Sequence, residues 1–151
     1  MFKTITTMEQ KDKELLLKDL CARLPFKVKV KVECITANGE KIEDEGVLNS
    51  IFINEFGTIY VCVDEIEYEL EHLKPYLRPM SSMTEEEKDY VVKHSLGYTA
   101  NIGGGKKDEK LYFHFKAESF DWLNKNMFDY RGLIPKDLAL STEIYNPYVE
   151  V

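Results

Sequence analysis

At 151 residues the chain has the size of one domain, with room for a core that needs no metal or disulfide staple. An apolar share of 44% excludes an intrinsically disordered chain, and no apolar run reaches the roughly 20 residues that span a bilayer. A net charge of −7 argues against a nucleic-acid backbone as partner, because phosphates must be neutralised by Lys and Arg.

Residues 8–24 read as a helix. Leu16, Leu17, Leu20, Cys21 and Leu24 form one apolar stripe, Thr7 is positioned as N-cap, and Pro25 stops the helix. Residues 26–35 then alternate: Phe26, Val28, Val30, Val32 and Cys34 face one way, Lys27, Lys29, Lys31 and Glu33 the other. Asn38-Gly39 supplies the positive φ angles of a tight hairpin. Further strands are expected over 40–44, 47–54, 58–63 and 65–70, with Glu55-Phe56-Gly57 as one of the turns. Pro75 and Pro79 bracket Tyr76-Leu77-Arg78 and should end the sheet, with one helical turn over 72–77.

Thr84 and Glu87 have the spacing of a capping box, and Glu85, Glu86 and Glu87 suit the positive end of a helix running to about Ser95, with Gly97 ending it. A hairpin is expected from Tyr98–Ile102 and Lys110–Lys116 around the glycine-rich loop 103–109. A third helix covers 118–127, with Phe120, Leu123 and Met127 on one face and Trp122 buried beside it. The rest is an irregular tail or weak strand.

These elements predict a single α+β domain over 1–151. Residues 1–79 form a helix plus a small SH3-like, or alternatively OB-like, antiparallel barrel. Residues 80–151 add two helices and a β-hairpin.

Motifs of chemistry are scarce. Gly103-Gly104-Gly105-Lys106-Lys107 lacks the P-loop's upstream glycine, its following Ser or Thr, and its helix. His72, His94 and His114 form no metal-ligand pair, and no cofactor is expected. Cys21, Cys34 and Cys62 lack C-x-x-C spacing and read as free buried thiols of a reducing compartment. Met1 to Gln10 shows neither a secretory signal nor a membrane anchor. Asp121, Asp129, Tyr130, Arg131 and His114 are the one set that could converge for acid–base work. Tyr76, Arg78, Tyr130 and Arg131 are the better candidates, as binding residues, because Tyr and Arg dominate interaction hot spots and here lie in turn-rich segments.

Charge is unevenly placed. Residues 1–32 carry +4, residues 33–73 carry −10 and the remainder −1. The acidic stretch is either the solvated face of the strands or a patch for a basic partner.

Three segments carry a resemblance: ELLLKDLCARLP at 14–25, LKPYLRPMSSMTEEE at 73–87, and FDWLNK with FDYRGLI at 120–125 and 128–134. They are similar to segments of a group of small proteins encoded by Bacteroides, their prophages and their phages. The strings bring no assigned chemistry. The resemblance implies a setting only, that of a mobile-element protein in the bacterial cytoplasm. The expectation is therefore a non-enzymatic module that binds another protein. The alternatives are nucleic-acid binding through Lys27, Lys29 and Lys31, or an acidic mimic of nucleic acid that blocks a basic host protein.

Overall fold

The computed structural model describes residues 8–93 and 117–149. Helix α1 (Gln10–Arg23) buries Leu16 and Leu20 completely and ends in a 3-10 turn, Leu24–Phe26, that carries Pro25 at its start. Glu9, not Thr7, occupies the N-cap position, and Thr7 lies outside the described residues. Val28, Val30 and Val32 are fully buried as the alternation requires, the last two in strand β1 (Lys29–Ile35). Gly39 turns the chain with φ of 90°.

The two strands expected over 40–54 are one, β2 (Lys41–Ile53). Its first half pairs antiparallel with β1, from Lys29 opposite Val47 to Ile35 opposite Lys41. Its second half pairs with β3 (Ile59–Val63), and a bulge between Leu48 and Ser50 marks the change. Gly46 lies within the strand, in register opposite Val30. A Cβ there would run into the Asp64 carboxylate and press on Val63, so any other residue would require the Asp64 side chain to move. A two-residue turn, Asp64-Glu65, leads into β4 (Ile66–Glu69).

A 3-10 turn, Leu70–His72, precedes β5 (Leu73–Leu77), which pairs with β1. This corrects the expectation that Pro75 ends the sheet. Tyr76 and Leu77 send their carbonyls to opposite sides, to Tyr148 Oη between β1 and β5 and to Thr142 N respectively. By the same alternation Pro75 directs its missing N–H away from β1, toward β6 (Leu140–Ser141), whose parallel pairing starts only at Tyr76.

The sheet order is β4-β3-β2-β1-β5-β6. Among the described residues it is a mixed, open sheet with β4 and β6 at its edges, whereas a small antiparallel barrel was expected. Helix α2 (Glu85–Lys93) carries the expected capping box: Glu87 N donates to Thr84 Oγ1 at 3.1 Å, and Thr84 N to Glu87 Oε1 at 2.9 Å. Helix α3 (Ala117–Lys125) buries Leu123 but leaves Phe120 at the surface and Trp122 half-buried. The expected hairpin over 98–116, its loop, His94, Gly97 and His114 lie outside the described residues.

The main core joins α1 to the inner face of the sheet, with Leu16, Leu20, Val30, Val61, Leu73 and Leu77 among its members. A smaller cluster, Val91, Leu123 and Phe128, seats α2 and α3. No helix among the described residues is long and apolar enough to cross a membrane.

Candidate functional site

The four residues expected to bind a partner fall into two groups. Arg78, Tyr130 and Arg131 gather where the end of β5 meets the segment after α3. Arg78 N donates to Met127 O at 2.6 Å and Arg78 O accepts from Asp129 N at 2.8 Å, so Phe128 runs beside the strand. The Arg78 guanidinium lies 4.0 Å from the Phe128 ring centroid and forks onto Glu87 at 2.8 and 2.9 Å. The Arg78 side chain fastens α2 to the sheet.

Arg131 and Tyr130 join a buried knot. Asp19 and Arg23, one helical turn apart on α1, are both fully out of water. Arg23 donates to Asp19 through Nε and Nη2 at 2.8 and 2.9 Å and to Phe128 O at 2.6 Å, and Arg131 adds a bond to Asp19 at 3.1 Å. Two guanidiniums thus share one carboxylate, and the Tyr130 ring lies within 5.5 Å of Arg23 and 4.7 Å of Arg131. Tyr130 Oη donates to Asn124 at 2.9 Å. A buried network of this kind roughly breaks even against apolar packing, so its value is positional: it fixes α1 against the segment after α3. The sequence held a signal for it, because Asp19 and Arg23 share the apolar stripe of Leu16 and Leu20 at i, i+3, i+4 and i+7 spacing.

Among the described residues the acid–base set does not assemble. Asp129 spends both carboxylate oxygens on the Leu133 and Ile134 amides at 2.7 and 2.9 Å, and Asp121 is exposed at the surface. Burial pushes the Cys21 and Cys34 thiols up, away from the reactive thiolate form, although Cys21 is exposed where a buried thiol was expected. Among the described residues no group of three or more His, Cys, Asp or Glu could hold a metal ion.

Tyr76 stands apart from the other three candidates. It is buried on the outer side of the sheet, where its hydroxyl reaches Glu45 at 3.4 Å while Tyr145 reaches the same carboxylate at 3.0 Å. Burial, then the Glu45 charge, pushes the Tyr76 phenol up to about 12. Tyr148 wedges in beside it. Its hydroxyl accepts from Lys29 N at 2.9 Å and donates to Tyr76 O at 3.0 Å, bridging β1 and β5 where their own ladder has splayed.

The lysine face of β1 is occupied. Lys29 Nζ donates to Pro147 O at 2.9 Å, and Lys31 pairs with Glu33 at 3.5 Å. A cleft of about 100 Å³ between Lys31, Glu33, Glu71, His72, Lys74 and Leu140 holds charges of both signs. Most are paired: Lys74 with Asp137 at 3.0 Å and Glu71 with Lys13 at 2.8 Å.

The acidic stretch singled out in the sequence includes an arm, formed by the second half of β2 with β3 and β4, whose apolar tip was not anticipated. Between Lys41 and Lys74 there is no Lys or Arg, while nine carboxylates occur. At the tip of the arm Phe52, Ile53 and Phe56 are 40, 58 and 82% exposed. Phe52 stacks on Tyr60 with ring centroids 5.5 Å apart. The signal was in Ile51-Phe52-Ile53-Asn54-Glu55-Phe56: a strand of period two cannot turn that many apolar side chains inward. Comparison with protein-family models, with curated proteins and with solved structures finds no match to this chain.

Proposed function

We propose that the chain is a protein-interaction module with no catalysis of its own, acting in the bacterial mobile-element setting that its segment resemblance implies. The observation that carries this reading is the exposed Phe52, Ile53 and Phe56 at the tip of an arm devoid of cationic side chains. An apolar tip with Glu55 in its turn and Glu69 opposite Tyr60 suits a partner surface that is apolar and basic. A basic nucleic-acid-binding protein, blocked by an acidic surface, is one such partner.

The strand order supports the SH3-like reading over the OB-like one. A long bent β2 shared between two ladders, β1 between β2 and β5, and a 3-10 turn between β4 and β5 are the connections of an SH3-like sheet. Direct nucleic-acid binding has less support, since Lys29 and Lys31 already have partners within the chain.

The test is capture from a lysate of the encoding organism by the wild-type chain and by Ile53→Ser/Phe56→Ser. The expected result is a partner retained by the first and lost from the second, with thermal unfolding unchanged. Identical recovery by both chains, or no specific recovery by either, overturns the reading.

A further inference from the structure

The outer edge of β4 specifies the chemistry of a partner more closely than the apolar tip does. β4 is joined to β3 by a two-residue turn, so the flanking pair Val63 and Ile66 is hydrogen-bonded. The ladder on the other side of β3 agrees. Asn54 N donates to Thr58 O at 2.9 Å, and counting along β2 and β3 turns Tyr60 and Cys62 toward β2 and Val61 and Val63 toward β4. It follows that Ile66 and Tyr68 bond β3, while the Glu67 and Glu69 amides point outward. Among the described residues no strand pairs with β4 on that side.

Glu67 and Glu69 also carry the outer-face side chains of this edge, beside Cys62 and Tyr60. Both are exposed, and neither has an ion pair among the described residues, whereas Glu43 and Glu71 do. Like charges on an edge strand disfavour pairing of two copies of this chain, and the same charges favour a cationic strand. The other face of the edge offers Ile66, exposed, and Tyr68, half-buried. The edge therefore matches an incoming strand that alternates cationic with apolar side chains.

We propose that β4 is a docking edge for an extended, basic segment of another protein, which adds as a seventh strand and places its Lys or Arg side chains against Glu67 and Glu69. The proposal rests on the interaction reading above and deepens it, naming the partner's conformation and charge.

The probe is a short blocked peptide alternating lysine with valine, added to the full chain and followed by site-resolved amide exchange. Exchange at Glu67 and Glu69 is expected to slow by about tenfold or more at saturation. Glu67→Pro removes an outward N–H without touching the β3 ladder, and is expected to weaken binding by about tenfold, the scale of one lost ladder bond with its neighbours. Glu67→Lys/Glu69→Lys should lose the lysine peptide and take up its glutamate counterpart. Unchanged exchange at both amides, or full affinity in Glu67→Pro, overturns the edge proposal. The broader reading survives that result if the apolar-tip variant still loses its partner, and falls separately if it does not.

Discussion

Asp64 and Glu65 turn β3 into β4 with φ angles of 49° and 75°, a left-handed pair that Asn-Gly adopts without strain. Glu65 has no such freedom, and its amide is held at 3.3 Å from the Asn49 side chain whichever residue stands there. Glu65→Gly is therefore expected to stabilise the fold by about 0.5–1 kcal/mol, read as a higher denaturant midpoint at constant slope. An unchanged or lower midpoint would show that the turn is not strained. At this scale the sequence was readable where a residue acts on its neighbours. Gly39 and the Thr84–Glu87 box are local and were anticipated. Arg131 reaches Asp19 over 112 positions, and nothing local announces such a bond.

Among elements, α2 depends most on one ionised group. Glu87 closes the capping box and receives the Arg78 fork. The Arg78 hydrogen bonds hold its carboxyl below the ordinary 4.5, outweighing burial, which acts the other way. A lowered folded pKa gives stability that is complete above the unfolded value and is lost as pH falls through the folded one. Wild-type stability should therefore drop below about pH 4.5, and Glu87→Gln should lose that part of the slope while being less stable at neutral pH. Equal acid slopes in urea titrations of the two chains would show that the fork contributes nothing. Elements were legible from periodicity where one face is buried, as in α1 and β1. Pro75 misled because it was read as punctuation, whereas it is tolerated in the strand because its missing donor faces the short side of β5.

For the whole molecule, the segment 142–149 ties β2, β1 and β5 together through Tyr145 and Tyr148. Burial drives the Tyr148 phenol well above its ordinary 10, and Tyr76 lies raised beside it. Raised phenols give stability that is complete below about pH 10 and is lost as pH climbs through the folded values. Tyr148→Phe would leave the Lys29 amide and the Tyr76 carbonyl without their bridge, at a cost of about 1–3 kcal/mol. Its denaturation midpoint should fall accordingly, and one fewer late-ionising tyrosine should appear in an alkaline absorbance titration. A variant as stable as the wild type would remove the wedge from the account. The α+β class was legible from the run of elements. The candidate site was legible only as charge: the −10 stretch was noted, but whether its carboxylates stand on an edge depends on β4 lying outermost, a matter of strand order that local pattern does not encode.

Pro75 bears on how copies of this protein can meet. With no donor facing β6, that flank ends in a two-residue ladder and offers little for further growth. Among the described residues the opposite flank, β4, is the one edge with room for a new strand. A molecule with one competent edge can be capped but not polymerised: even if two copies joined through β4, the pair would present only its blunt flanks, and cross-β growth would stop at two.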